Sequence, residues 1–113
     1  MINIQIASNH KGQIQSLEVS GHAGFAEAGE DIVCAAVSSQ LISIENSLQA
    51  LLEIPVTSQV DEIEGGYLKL DIAETGEKRR DQDGQLLLRH LVFALDVLAE
   101  NYPEYIKIKQ FQK

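Results

Sequence analysis

The feature that most constrains the fold is an alternation along the chain between pairs of short strand-like segments and single long helix-like segments. Apolar side chains recur at every second residue in the former and at every third or fourth in the latter. Strand-like patterns fall at residues 2–7, 13–20, 56–64, 67–73 and 105–111. Helix-like patterns run over 32–53 and from 81 or 83 to near 101. The order β-β-α-β-β-α-β predicts one α+β domain over residues 1–113, with two helices and a largely antiparallel sheet.

Short turn signals connect the paired strands. Asn9–Gly12 separates the first two strands, and Gly65-Gly66 separates the third from the fourth. Such close connections favour antiparallel hairpins. Ile14 is out of phase with the apolar residues that follow it, which predicts a bulge or a frayed strand start, and Ile63 is similarly out of phase.

Both helix-like segments carry an apolar stripe. The first stripe comprises Val37, Leu41, Ile44, Leu48 and Leu51. The second has an inner face of Leu87, Leu91, Leu95 and Leu98, widened by Leu88, Val92 and Phe93. A stripe this broad predicts burial against the sheet and against another surface, such as a dimer partner. Asp31 is the expected N-cap of the first helix, and Asp81 or Asp83 that of the second.

Composition excludes several classes of function. The formal net charge is −8 over 113 residues, which argues against direct nucleic-acid binding because that needs a basic face. The acidity is compatible with steering a basic protein partner, or with solubility alone. No apolar run approaches the roughly 20 residues that span a membrane. One cysteine precludes an internal disulfide, and a free thiol without a signal peptide predicts a cytoplasmic location.

The candidate site lies between His22 and Cys34, the only cysteine. Residues 23–30 join them as a loop of small and acidic residues, which is either a lid over a peptide or an ordinary connector. With Asp31 as N-cap, Cys34 falls in the first helical turn, where free N–H groups and the helix dipole stabilise a thiolate. His22, just past a strand end, would pair with that thiolate and protonate the leaving amine. The Cys34 N–H and an N–H of the loop are the natural oxyanion donors.

Two further residues have candidate supporting roles. Asp31 could orient His22, although capping is the simpler role. Ser38 lies one turn after Cys34 on the same helix face, so its hydroxyl could reach the site or could bond a carbonyl of its own helix. Cys34 is also consistent with a plain core residue, because it is in line with the apolar stripe and lone cysteines often pack as small hydrophobes.

The run GHAGFAEAGEDIVCAAVSSQ at residues 21–40 resembles the signature of the ribosomal-processing cysteine proteases, the Prp family. That signature is a Gly-His pair, a glycine-containing loop, Asp-x-Val-Cys-Ala-Ala and a serine one turn later. The resemblance implies that Cys34 is the nucleophile and His22 its dyad partner, in a homodimer with a mobile loop above the site. The implied substrate is the large-subunit ribosomal protein number twenty-seven, a basic protein. Its N-terminal extension, an alternating apolar segment ending in a Gln-Phe-Phe-like stretch before a lysine-rich body, is removed.

Other functions remain open from the residues alone. A non-catalytic adaptor would bind a basic ribosomal protein through the acidic surface, and Cys34→Ala would leave its effect intact. A redox sensor would need an external thiol, because no second cysteine is present to resolve a sulfenic acid. One cysteine and scattered histidines do not supply a usual zinc ligand set, so we expect no metal and no cofactor.

Overall fold

The protein is described by a computed structural model over residues 1–21, 28–61 and 66–113, with side chains included except at 28–31. Within these ranges the elements are β1 Ile2–Ser8, β2 Ile14–Ser20, α1 Ala28–Leu52, β3 Val56–Val60, β4 Tyr67–Ile72, α2 Lys78–Asn101 and β5 Ile106–Gln112. The strands form one sheet in the order β3-β4-β2-β1-β5. The predicted α+β fold and its element order are confirmed.

The sheet is mixed but mostly antiparallel. β2 pairs antiparallel with both β1 and β4, and β3 pairs antiparallel with β4. β5 instead pairs parallel with β1, with Ile2 opposite Ile106. A parallel neighbour requires a crossover connection, and α2 supplies it between β4 and β5. Thus the largely antiparallel sheet is confirmed, and its one parallel pair follows from the position of the last helix.

Both helices cover the same face of the sheet. α1 connects β2 to β3, and α2 connects β4 to β5. The two connections start from strands that are antiparallel, β2 and β4, and run toward opposite edges of the sheet. Right-handed crossovers of this kind place their helices on one side, where α1 and α2 contact each other. The core between helices and sheet is formed by fully buried side chains that include Ile2, Ile4, Ile6, Leu17, Leu70, Val33, Val37, Leu41, Leu48, Leu88, Leu91 and Leu95. Neither helix of the described chain has the length and apolarity to cross a membrane.

The predicted irregularity in β2 is a β-bulge. Ala7 pairs with Ser16 but Ser8 pairs with Ile14, so one extra residue lies in β2. The bulge restores the phase, and Ile14 is buried despite its opposite parity. The Gln85 side chain of α2 binds the backbone here, accepting from the Ile14 N–H at 2.8 Å and donating to its carbonyl at 3.0 Å.

The two hairpins differ in how much of each turn is described. In the first, the Asn9 side-chain oxygen accepts from the Lys11 and Gln13 N–H groups, and Gly12 has a φ of 80°. In the second, Gly66 has a φ of 73°, whereas Gly65 and Ile63 lie outside the described residues. β3 covers Val56–Val60, and residues 62–64 of the predicted strand lie outside the described residues.

The predicted start of α1 is wrong. The helix begins at Ala28, so Asp31 is its fourth residue and cannot be the N-cap. Leu51 is also wrongly assigned to the inner stripe, because it is 74% exposed. After Leu48 the inward position falls four residues on, and Leu52 packs against the core instead.

The predicted start of α2 is wrong in the same direction. The helix begins at Lys78, so residues 78–80 form its first turn rather than a loop, and neither Asp81 nor Asp83 is the N-cap. The Asp81 carboxylate instead accepts hydrogen bonds from the segment before the helix. Its donors are the Thr75 N–H at 2.9 Å, the Thr75 hydroxyl at 2.8 Å and the Gly76 N–H at 3.2 Å.

The buried face of α2 is also rotated from the prediction. Its centre comprises Gly84, Leu88, Leu91 and Leu95. Leu87 and Leu98 are only partly buried at its margins. Phe93, predicted to widen this face, is 68% exposed and shares the outer side of α2 with Leu86 and Val97. Some of the apolar width of α2 therefore faces away from the core.

We expect Asp81→Asn to destabilise the fold by about 1 kcal/mol, as for the loss of a helix-capping group. The Thr75 N–H is the main cause that lowers the pKa of the Asp81 carboxyl below its ordinary value of 3.8; partial burial opposes it, while the Thr75 hydroxyl, the Gly76 N–H and Arg80 add to it. A pKa that is lower in the folded than in the unfolded state stabilises the fold. This stabilisation is complete at a pH above the unfolded-state pKa and absent at a pH below the folded-state pKa. The difference between wild type and variant in urea unfolding should therefore disappear as the pH falls through the folded pKa. Asp83→Asn is the matched control, and an equal loss there would contradict the assignment.

We expect Gly21→Ala to destabilise the fold by about 1–3 kcal/mol, since the residue has a φ of 84° and an added Cβ would overlap the Met1 carbonyl oxygen. Gly12→Ala is the matched control, because its φ is 80° and a Cβ there meets nothing within 4 Å. Urea unfolding should show the larger loss for Gly21→Ala. Equal losses would mean that the backbone angle alone matters and that the Met1 contact does not.

Candidate active site

Cys34 lies at the boundary between the core and an open groove. Its side chain is partly buried, packs against the hydrophobic core on one side and is a free thiol. On the other side it lines a groove of about 500 Å³ between α1 and the sheet. Cys34 therefore packs against the core, as the plain core reading predicts, and also has a side open to the groove.

The groove is walled by three parts of the fold. α1 contributes Cys34, Ser38, Ile42 and Glu45. The ends of β3 and β4 contribute Val60, Asp61, Gly66, Tyr67 and Leu68. The base is formed by Ile2, Val19 and Gly21. Its surface is mainly apolar, which suits a substrate with apolar side chains.

Three α1 side chains of the groove are aligned along one helix face. A helix advances about 100° per residue, so Ser38 is about 40° and Glu45 about 20° around the axis from Cys34. The prediction that Cys34 and Ser38 share a face is confirmed by their common position on the groove. The core stripe of Val37, Leu41 and Leu48 lies immediately beside this face.

The other predicted site residues are not described in side-chain detail. His22 lies outside the described residues, as do 23–27 of the predicted loop, and the Asp31 side chain is likewise outside. Residues 28–30 belong to α1 and are not loop. Gly21, bonded to His22 in the chain, lines the same groove as Cys34. This position at the end of a strand was part of the prediction for His22.

The prediction that the N-terminus of α1 stabilises a Cys34 thiolate is wrong, because Cys34 lies too far along the helix. Cys34 is the seventh residue of α1. The influence of the helix dipole is confined to the first turn, and the N–H groups without intrahelical partners are those of the first residues. The Cys34 N–H is within the helical hydrogen-bond ladder, so it is not available as the predicted oxyanion donor.

Two carboxylates give the groove a negative character. Glu45 and Asp61 both line it, and among the lining residues that the structure describes none is lysine, arginine or histidine. The Glu45 Oε2 atom is buried and accepts no hydrogen bond from the described residues. Sequence reasoning missed Glu45, whose signal was its spacing of eleven residues, three helical turns, from Cys34. In the described part of the chain, no group of three or more His, Cys, Asp or Glu side chains is arranged to hold a metal ion.

Comparison with known proteins extends over almost the whole chain. The family model for cysteine protease Prp matches residues 1–107. The ribosomal processing cysteine protease Prp of Bacillus subtilis is 30% identical over 108 residues, which cover 96% of each chain. The Staphylococcus aureus protein of the same name is 30% identical over 112 residues, covering 96% of this chain and 97% of the relative.

Solved structures of similar proteins have the same fold. A crystal structure from Streptococcus mutans has a TM-score of 0.87 and 38% identity, covering 100% of this chain and 96% of that one. The Staphylococcus aureus protease Prp bound to a substrate peptide has a TM-score of 0.87 and 27% identity. The same protease with a covalently linked product peptide has a TM-score of 0.84 and 28% identity. Each of the two staphylococcal alignments covers 98% of this chain and 100% of the staphylococcal chain.

Since the family model spans nearly every residue and the curated relatives align across almost their whole length, this chain belongs to the Prp family of ribosomal-processing cysteine proteases.

Proposed function

We propose that this protein is a cysteine endopeptidase that removes the N-terminal extension of the large-subunit ribosomal protein number twenty-seven, with Cys34 as nucleophile and His22 as its dyad partner. The observation that carries the proposal is the position of Cys34 on a mainly apolar groove that Gly21, the residue before His22, also lines. The staphylococcal relative has been solved with a substrate peptide and with a covalently linked product peptide, which supports covalent chemistry in this one.

The reaction proceeds in two stages. His22 takes the proton of the Cys34 thiol, and Sγ attacks the scissile carbonyl carbon to form a tetrahedral oxyanion. The C–N bond then breaks, the leaving amine receives the proton from the imidazolium, and a thioester remains. Water, deprotonated by His22, hydrolyses the thioester and returns the free thiol. No cofactor or metal takes part in this sequence.

Ser38 and Asp31 have supporting roles in the proposal. The Ser38 hydroxyl lies one turn from Cys34 on the same groove and is placed to hydrogen-bond a bound peptide. Asp31 is the fourth residue of α1 and not its cap. We assign it the alternative role of orienting the His22 imidazole, in the manner of the third member of a triad.

An extended peptide suits the shape and chemistry of the groove. β3 is one of the two edge strands of the described sheet, and its end at Val60 forms part of the groove wall. An edge strand offers backbone groups with which a substrate segment can pair. Alternate side chains of such a segment would point into the apolar groove, which suits the alternating apolar pattern expected of the extension.

The same proposal covers the setting of the enzyme. The net charge of −8 favours encounter with a basic ribosomal protein, and residues 1–113 act as one protease domain in the cytoplasm. A non-catalytic adaptor would use the same charge but has no need of a thiol on a groove. Membership in a protease family therefore favours the enzyme over the adaptor.

Incubation with the extended ribosomal protein should yield a trimmed product whose mass identifies the cut. We expect Cys34→Ala and His22→Ala each to reduce the rate at least about 10³-fold, because both act in the same chemical step. His10→Ala is the matched control, since His10 is exposed in the first hairpin turn and should leave the rate unchanged. Trimming by Cys34→Ala at the wild-type rate would exclude the covalent mechanism.

The proposed homodimer can be tested at the outer side of α2. Leu86, Phe93 and Val97 are exposed there by 57%, 68% and 40% and lie on one helix face, an apolar surface that suits a second copy. Sedimentation velocity should show a dimer for the wild type and a shift toward monomer for Phe93→Asp. Leu51→Asp is the control, because Leu51 is equally exposed but lies at the end of α1. A dimer unchanged by Phe93→Asp would place the interface elsewhere.

A further inference from the structure

The groove contains a buried acceptor that the proposed chemistry does not use. Glu45 projects from the same face of α1 as Cys34 and lines the same groove. Its Oε2 atom is buried and has no hydrogen-bond partner among the described residues. Buried carboxylate oxygens are normally paired, because an unpaired one loses its hydration without compensation. An orphan acceptor inside a groove that opens to solvent is typical of a position that a ligand completes.

The surroundings of Glu45 determine which ligand fits best. The described groove residues are mainly apolar, with the Ser38 and Tyr67 hydroxyls and the Asp61 carboxylate among them, and none is lysine, arginine or histidine. None of them bonds the buried Glu45 oxygen. A neutral donor would satisfy the hydrogen bond but would not balance the negative charge of the carboxylate. A lysine or arginine side chain supplies both the donor and the opposite charge, and charge-assisted hydrogen bonds are about twice as strong as neutral ones.

The distance from Cys34 sets the position of that basic side chain along a substrate. Eleven residues of helix advance about 16.5 Å. An extended peptide advances about 3.3 Å per residue, so the same distance corresponds to about five substrate residues. Because the Glu45 side chain and the basic substrate side chain both have length, the basic residue can lie four to six residues from the scissile bond.

We propose that Glu45 forms a specificity subsite for a basic substrate side chain about five residues from the scissile bond. This inference rests on the proposed function, because the spacing is counted from Cys34 as nucleophile. The subsite adds a charged requirement to an otherwise apolar groove, and it distinguishes peptides that share the apolar pattern but lack a correctly placed cation. Glu45 contributes to substrate binding and not to the chemical step.

A lysine scan tests the subsite. The probes are twelve-residue peptides with alternating leucines around a Gln-Phe-Phe cleavage segment, each carrying one lysine at a different distance from the cut, on either side. Norleucine peptides are the neutral counterparts, because norleucine keeps the apolar stem of lysine. We expect lysine to lower KM about tenfold at four to six positions from the cut, on one side only, with little change in kcat.

The variants identify Glu45 as the cause. Glu45→Gln should remove the lysine preference, and Glu45→Lys should transfer it to peptides with glutamate at the same position. Glu100→Gln is the matched control, since it changes the net charge equally at an exposed site on α2. A flat scan, or a lysine preference that survives in Glu45→Gln, would overturn the subsite. Thermal unfolding of each variant, followed by circular dichroism, separates these results from loss of fold.

Binding without turnover separates the two proposals. The affinity of Cys34→Ala for the same fluorescent peptides, measured by anisotropy, should show the same lysine preference. If peptides bind with that preference but the wild type cuts none of them, the subsite is supported and the protease mechanism fails. If the wild type cuts peptides at rates that do not depend on the lysine, the mechanism is supported and the subsite is overturned.

Discussion

The rotation of α1 about its own axis is the constraint on which the site depends. Val33, Val37, Leu41 and Leu48 fix that rotation, because each is buried to 1% exposure or less between the sheet and α2. The face immediately beside this stripe then has to border the groove, and it carries Cys34, Ser38 and Glu45. Packing energy thus sets the orientation of the thiol, since a turn of the helix by one residue, about 100°, would bury polar groups and expose the stripe. The same contacts that stabilise the fold hold the Cys34 thiol at the edge of the groove.

The unpaired Glu45 carboxylate oxygen in a mainly apolar groove affects both the stability of the protein and its recognition of ligands. Burying the Glu45 oxygen without a partner destabilises the free protein, as an unsatisfied polar group does. Such local conflicts are expected at binding sites, where the compensating group arrives with the ligand. The net negative charge attracts a basic partner before the two proteins touch, whereas the Glu45 carboxylate can bind it only after contact. In the proposed function, the acidic net charge brings basic partners to the protein and the buried Glu45 oxygen selects among them.

The sequence predicted the periodic elements well and their ends poorly. The alternation of Ile2, Ile4 and Ile6, and the parity break at Ile14, have a local cause and appear as a strand and a bulge. Asp31 and Asp81 were both expected to cap helices, yet each is the fourth residue of its helix. An aspartate near a helix start suits a cap and a first turn alike, and the choice depends on tertiary contacts such as those of Asp81 with Thr75. The role proposed for Glu45 could not be predicted, because it depends on the lack of a partner for its buried oxygen among the described residues.

The early start of α1 changes where catalytic stabilisation has to come from. Cys34, the proposed nucleophile, is the seventh residue of α1 with its N–H inside the helical ladder, so it gains little from the helix terminus. An oxyanion still needs donors, each worth about 10²–10³ in rate. For catalysis at Cys34 they have to come from outside the regular part of α1, or from groups that the substrate complex brings to the groove that Cys34 lines.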